Sequence, residues 1–267
     1  MMQILPTCPE TFFADIIMNL PAYYTDGIAI DIGSHIGFYS LMLVKKFETV
    51  YAFEPNPIIF NTVSSFGEVP NLTRYQKAIG PIDGQIKIYI GPNSSTATIN
   101  PDMEMVTLED GKVTTYTDEH VADVDSVMLD TVCRGKKVAF IKCDIEGGEE
   151  LIFDPECAEQ TLSTNQVMIA LETHKGANMN KLTRNLRRYG FDQFLSEDYT
   201  LVDHLDHSKH YLISRKADFV LKPAFHLAPR DDTYEFYKRL QGTPVGKSCS
   251  DWFNYDYYIV DHYNPIM

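Results

Sequence analysis

Three acidic stretches of this chain carry residue types at spacings that suit nucleoside binding and group transfer. The first is Ala29-Ile30-Asp31-Ile32-Gly33-Ser34-His35-Ile36-Gly37. A short apolar run delivers Asp31, two glycines let the backbone turn closely beside a ligand, and a helical pattern begins behind them. Its Gly-x-x-x-Gly spacing differs from the Gly-x-Gly-x-x-Gly of a dinucleotide pyrophosphate loop. A carboxylate at the strand end repels a diphosphate but pairs with an ammonium. That combination suits the amino-acid end of S-adenosylmethionine better than NAD. The second stretch is Tyr51-Ala52-Phe53-Glu54-Pro55-Asn56, in which Glu54 follows Asp31 by 23 residues. A carboxylate there can accept hydrogen bonds from both hydroxyls of a ribose, each worth about 1.5–3 kcal/mol. Asn56 would orient the ribose or close the loop. Lys77-Ala78-Ile79 ends the following strand, where an adenine edge could meet backbone groups and small side chains.

The third stretch concerns the acceptor of the transferred group. Methyl transfer from a sulfonium is an in-line displacement, and a hydroxyl nucleophile must also lose a proton. Asp144 closes a buried-type strand, beside the crevice where such sheets bind ligands, so it is assigned to both the cofactor side and the chemistry. Glu146 and Glu149 come next, with helix capping as the plainer role for Glu149. Ala170-Leu171-Glu172-Thr173-His174 brings a carboxylate and an imidazole to the same rim. His174, with an unperturbed pKa near 6.5, is the expected proton acceptor, and Glu172 would orient it or the acceptor. Asp144, Glu172 and His174 could instead hold Mg²⁺ or Mn²⁺ and polarise a vicinal diol. The sequence does not establish such a cage, and no metal is assigned from it. His204, His207 and His210, interleaved with Asp203 and Asp206, read as a solvated loop.

These residues need a scaffold, and the chain alternates strands with helices in the manner of a parallel sheet. A helix over Glu10–Leu20 ends at Pro21. Gly27–Ile32 reads as a strand, Gly37–Lys46 as a helix, Thr49–Phe53 as a strand and Pro57–Phe66 as a helix. Leu72–Ile79 reads as one strand, Gln85–Ile90 as an antiparallel addition across the Gly80–Gly84 turn, and Asn93–Asp110 as a mobile segment at the rim. Ser126–Cys133 reads as a short helix or turn, Lys137–Cys143 as a strand, and Glu149–Phe153 as the start of a short helix. Gln166–Leu171 is a strand, and Met179–Tyr189 a helix closed by Gly190. Leu201–His204 and Tyr211–Ser214 then resemble a terminal hairpin. After Pro223 the chain turns to Tyr, Phe and Pro. Trp252, Phe253, Tyr255, Tyr257 and Tyr258 are costly to leave in water, so this segment is expected to cover the main domain, the acceptor site or a second subunit.

With 267 residues and 44% apolar content, the chain can bury a substantial core. No apolar run approaches the roughly 20 residues needed to cross a bilayer, and the N-terminus does not read as a signal peptide. Cys8, Cys133, Cys143, Cys157 and Cys249 lack a metal-type Cys-x-x-Cys spacing and read as reduced thiols of a cytoplasmic protein. Thirty-seven acidic against 23 basic residues give a formal charge of −14, which repels nucleic acids and anionic membranes at long range.

The chain resembles the FkbM family of S-adenosylmethionine-dependent methyltransferases. The matching pieces are Asp31 to Gly37, Phe53-Glu54-Pro55-Asn56, Lys77-Ala78 and Phe140-Ile141-Lys142-Cys143-Asp144-Ile145-Glu146-Gly147-Gly148-Glu149. The last block is fairly specific to the family, and the resemblance runs from about Gly27 to Ser214. It implies an α/β class I methyltransferase fold, Rossmann-like, with a mostly parallel seven-stranded sheet ending in an antiparallel hairpin. On this division residues 1–26 are a helical segment, 27–222 the methyltransferase domain and 223–267 an aromatic extension. The cofactor would be S-adenosyl-L-methionine, held by Asp31, Gly33, Ser34, His35, Gly37, Glu54, Asn56, Lys77, Ala78 and Asp144. The acceptor would be a sugar hydroxyl or another small hydroxylated molecule. An amine acceptor, a non-catalytic interaction module and a homodimer stay open.

Overall fold

The computed structural model describes residues 9–20, 22–62, 69–90, 97–99, 104–106, 113–115 and 121–219. The aromatic segment after residue 222, with the expectations placed on it, lies outside the described residues. The elements in chain order begin α1 (Pro9–Asn19), β1 (Ile28–Ile32), α2 (Phe38–Leu43), β2 (Val50–Phe53), α3 (Pro57–Thr62) and β3 (Leu72–Tyr75). Next come β4 (Ala78–Ile79), β5 (Gly84–Ile90), β6 (Ala97–Thr98), β7 (Glu104–Val106), β8 (Val113–Thr115), β9 (Val121–Val127), α4 (Leu129–Cys133) and β10 (Val138–Cys143). The last are α5 (Glu149–Ile152), α6 (Pro155–Thr164), β11 (Met168–Thr173), α7 (Met179–Arg188), β12 (Gln193–Ser196), β13 (Leu201–Val202) and β14 (Lys209–Ser214).

The main sheet has the order β13-β12-β14-β11-β10-β1-β2-β3. Strands β3, β2, β1, β10 and β11 are parallel, whereas β14 runs antiparallel to both β11 and β12. This is the strand arrangement expected from the resemblance, with the two-residue β13 as an eighth strand on its edge. Strand β1 feeds β2 on one side and borders β10 on the other, so the topological switch point lies between β1 and β10. Because both faces are covered, the central strands are apolar apart from charged residues near their carboxyl ends. β10 is buried at all six positions.

Side-chain alternation sorts the core into two layers. Ile30, Ile32, Ile141, Cys143, Ile169 and Leu171 pack with Leu129, Ile152, Cys157, Leu162, Leu182 and Leu186 of α4 to α7. Ala29, Phe140, Met168, Ala170 and Leu212 pack on the other face with Phe12, Phe13, Ile16 and Ile17 of α1 and Met42 and Leu43 of α2. The same alternation puts Asp31, Lys142, Glu172 and His210 on the α1–α2 face, near the carboxyl ends of the parallel strands.

Five expectations change. Asn93–Asp110, expected to be a mobile segment, holds the short strands β6 and β7, paired with β5 and β8; its other residues lie outside the described ones except Ile99. Leu72–Ile79 is not one strand: β3 pairs with β2, while β4 leaves for a second sheet of order β4-β9-β5-β6. Ser126–Cys133 is divided between the end of β9 and α4. α6 fills a stretch to which no element is assigned from the sequence; Asp154 caps it by accepting from the Glu156 N–H at 3.2 Å, and Pro155 opens it. The terminal hairpin expected from the sequence is wrongly paired, because β12 inserts between β14 and β13 and bonds to both. Gln193 opens β12, a strand to which no element is assigned from the sequence. Its amide is buried by donating to Ser214 Oγ at 2.9 Å and to the Phe219 carbonyl at 2.5 Å.

Candidate active site

Strand β1 ends in a loop that Phe53 and Glu54 of the neighbouring strand hold in place. The N–H groups of Gly33 and Ser34 both donate to the Phe53 carbonyl, at 3.0 and 2.9 Å. Glu54 Oε2 accepts from His35 N–H at 2.9 Å and Oε1 from Asn56 N–H at 2.8 Å. Asn56 Oδ1 in turn accepts from Ile58 N–H at 3.0 Å, which orders the start of α3. Gly33 has φ +72°, and a Cβ there would lie 1.9 Å from the Asp144 carbonyl oxygen. Its glycine is therefore required where the β1 loop packs on the end of β10. Gly37 (φ +85°) turns the chain into α2, and His35 sits at φ +48°. The Ser34 hydroxyl is buried without a hydrogen-bond partner among the described residues. Burial pushes the Glu54 carboxyl up to about 7, against the two backbone N–H groups that favour its charge.

Asp31 is fully buried, and the ammonium it meets belongs to the chain itself. Lys142, its direct neighbour in the β1–β10 ladder, lies 3.6 Å from Asp31 Oδ1, and Ser40 Oγ donates to Oδ2 at 2.5 Å. Lys142 Nζ also donates to Asp144 Oδ2 and to the Gly33 carbonyl, both at 3.1 Å, and stands over the Tyr39 ring. Burial opposes its charge, but Asp144 and Asp31 outweigh it and hold Lys142 as an ammonium. Lys142 is not among the site residues expected from the sequence. A lysine inside an otherwise apolar strand, flanked by acidic strand ends, was the available signal. Lys77 pairs instead with Asp125 at 3.7 Å on an exposed surface, and Ala78 lies in β4 against β9.

The acceptor rim is denser than its three expected members. His174 Nδ1 lies 2.7 Å from Glu149 Oε1, while Nε2 faces Glu172 at 3.4 Å, Glu146 at 3.6 Å and Asp144 at 3.9 Å. Glu149 is fully buried and also accepts from Gly147 N–H at 3.2 Å, so it reaches well beyond helix capping. Burial works against a charge on His174, but Glu149, Glu172, Asp144 and Glu146 raise its pKa to about 11. With these surroundings alone the imidazole already holds its proton at neutral pH, which corrects its expected role as proton acceptor. Glu172 is ionised: burial is overcome by His174 and His210.

His210 is a further correction. It belongs to a buried strand rather than a solvated loop, and the β11–β14 register sets it directly across from Glu172. Its Nε2 lies 3.2 Å from Glu172 Oε2 and its Nδ1 2.7 Å from Glu197 Oε2. His207 Nδ1 contacts the His174 carbonyl at 2.9 Å, and His204 forms an exposed pair with Asp206. The structure thus joins Asp31, Lys142, Asp144, Glu146, Glu149, Glu172, His174, His210 and Glu197 into one ionic network across four adjacent strands.

The sequence profile of the Methyltransferase FkbM domain matches residues 31–193, more than half of the chain and all of the residues that build this network except Glu197 and His210. The chain belongs to the FkbM methyltransferase family. The enzyme class and the S-adenosyl-L-methionine cofactor come with that membership. Methyltransferase 1 of Beauveria bassiana is 27% identical over 155 residues, covering 52% of this FkbM-family chain and 62% of that relative. The chain thus spans less than two thirds of that protein's length. Among solved structures, precorrin-6Y C5,15-methyltransferase of Geobacter metallireducens has a TM-score of 0.38 at 14% identity, covering 79% of this chain and 90% of that one. An rRNA methylase of Streptococcus thermophilus has a TM-score of 0.39 at 12% identity, covering 79% and 98%. No helix among the described residues is long and apolar enough to cross a membrane.

Proposed function

We propose that this chain moves the sulfonium methyl of S-adenosylmethionine to a hydroxyl oxygen of a small polyhydroxylated molecule, a sugar or a glycosylated metabolite. The observation that carries the reading is the junction at the switch point, where the β1 loop and the acidic end of β10 are tied together through Lys142. The residues fit the cofactor. Glu54 keeps acceptor capacity beyond its two backbone bonds and would take the ribose hydroxyls, with Asn56 holding that loop. The Ser34 hydroxyl, unpartnered among the described residues, and the backbone from Gly33 to Gly37, His35 included, would line the methionine end. Asp31 acts one layer back, because Lys142 already occupies it; Lys77 and Ala78 remain candidates for the adenine side only through their backbone.

S-adenosylmethionine supplies an electrophilic methyl when bound. The chain's residues do the rest: Glu172 and His174 orient the acceptor, and the partly exposed carboxylates Asp144 and Glu146 receive its proton. The acceptor oxygen gains the methyl carbon, the carbon–sulfur electron pair stays on sulfur, and the proton passes to the carboxylate rim. A small, polar and cationic or neutral acceptor also fits a chain of net charge −14. Residues 27–222 would form the catalytic domain, with the aromatic extension covering the acceptor or a second subunit, in a cytoplasmic setting. An amine acceptor is the second reading, supported by the abundance of carboxylates at the rim.

Transfer of labelled methyl to matched panels of sugars, glycosides and amines tests this. Labelled hydroxylated acceptors with unlabelled amines are expected. Labelling confined to amines would replace the reading, and no labelling in a panel that includes glycosides of several aglycones would count against a sugar acceptor.

A further inference from the structure

The rim has a property that neither proton transfer nor acceptor orientation requires. Asp144, Glu172 and His174 each offer one ligand atom, and these three atoms lie within 4.8 Å of one another, in partly buried side chains. His174 Nε2 stands 3.4 Å from Glu172 Oε1 and 3.9 Å from Asp144 Oδ1, longer than charged hydrogen bonds of about 2.7–2.9 Å. At the roughly 2.1–2.5 Å bond lengths of Mg²⁺ to Ca²⁺, adjacent ligand atoms stand about 3.0–3.5 Å apart; the Glu172 separation falls in that range, and Asp144 would have to close by a few tenths of an ångström.

The partner atom of each of these three is held from outside. Asp144 Oδ2 accepts from Lys142 at 3.1 Å. Glu172 Oε2 meets His210 at 3.2 Å, and His210 is fixed in turn by Glu197 at 2.7 Å. His174 Nδ1 is held by Glu149 at 2.7 Å, so a cation that displaces the Nε2 proton would leave the tautomer with Nδ1–H on Glu149 and the Nε2 lone pair toward the two carboxylates. A carboxylate behind a ligating imidazole is the usual outer support of a metal site. Glu149 is fully buried, and its second oxygen has no partner among the described residues, a costly arrangement for an acid serving only to cap a four-residue helix.

We propose that Asp144, Glu172 and His174 bind one divalent cation of the Mg²⁺ or Mn²⁺ class, with Glu146 beside it. Two carboxylates and one imidazole leave positions open for two oxygens of an acceptor diol. The cation lowers the pKa of the bound hydroxyl, and Glu146, whose Oε2 is 3.6 Å from His174 Nε2, receives the proton. This catalytic use rests on the methyl-transfer reading, whereas the binding site itself does not.

The test is titration of the chelator-treated full chain with Mn²⁺ at fixed ionic strength, following free Mn²⁺ by electron paramagnetic resonance. One strong site per chain is expected, weakened at least tenfold by Asp144→Asn and by Glu172→Gln, and less by Glu197→Gln. Circular dichroism and the urea midpoint identify variants that fold. A Mn²⁺-dependent rise of the wild-type melting temperature, absent in Glu172→Gln, is the second expected readout. Wild-type binding no stronger than that of the folded Asp144→Asn/Glu172→Gln double variant overturns the site. Calorimetry with S-adenosylhomocysteine separates the two readings: its binding without Mn²⁺ binding rejects the cation alone, and Mn²⁺ binding without it supports the cation while removing methyl transfer. Full methyl transfer after exhaustive chelation overturns the cation's catalytic use.

Discussion

Replacing Lys142 with Met keeps the length and shape of the buried stem but removes the charge that joins β1 to β10. Asp31 is fully buried and would be left with only the Ser40 hydroxyl at 2.5 Å. Asp144 and the Gly33 carbonyl would each lose a bond of 3.1 Å. Removing one member of a buried ion pair costs about 3–5 kcal/mol, most of it the penalty of the stranded partner. For a domain of this size that lowers the melting temperature by roughly 6–20 °C, at about 2–4 °C per kcal/mol. Urea unfolding of wild type, Lys142→Met, Asp31→Asn and the double variant closes a cycle. The double variant is expected to recover at least about 1.5 kcal/mol relative to additivity, because an amide tolerates the apolar neighbour better than a carboxylate does. A Lys142→Met protein within about 1 kcal/mol of wild type, or an additive cycle, would refute the claim that this ammonium holds the two strand ends together.

Two other outcomes rest on the same geometry. Gly33→Ala sets a methyl 1.9 Å from the Asp144 carbonyl at φ +72°; it should destabilise the fold by more than about 2 kcal/mol in urea and abolish S-adenosylhomocysteine binding, and near-normal affinity would mean that the loop does not pack as described. Asp15, buried in α1, has its carboxyl raised from 3.8 to about 6 by burial. The native state therefore holds this proton more tightly than the unfolded chain, so Asp15 supports stability at low pH and loses that support as pH rises through about 6. Asp15→Asn should be equal to wild type near pH 4 and more stable by up to about 3 kcal/mol at pH 8; a difference independent of pH would remove burial as the cause.

What could be read from the sequence was local. Asp31, the two glycines and Glu54 are recognisable because a strand end and its adjoining turn lie within a few residues, and β10 and β11 because strands covered on both faces are continuous apolar runs. Features that depend on strands distant in sequence were hidden. His210 meets Glu172 only through the antiparallel β11–β14 register, so a His-rich loop looked solvated. Lys142 fell inside a strand read as buried, and only the ladder sets it beside Asp31. His174 was given an ordinary titration because four surrounding carboxylates arrive from three different segments. β12 carried no assigned element, and the partners of Gln193 at its head, Ser214 and Phe219, lie more than twenty residues away.

The cofactor site is the central claim, and calorimetric titration of S-adenosylhomocysteine into wild type and Glu54→Ala tests it most directly. Glu54 is buried, and its two oxygens already order the His35 and Asn56 backbone. One lost charged bond to a ribose, at about 1.5–3 kcal/mol, corresponds to roughly 10- to 150-fold in affinity. The expected result is saturable binding of one ligand per wild-type chain and a weakening of that size in a folded Glu54→Ala protein. Absence of binding by folded wild type, or equal affinity of the two proteins, would contradict it.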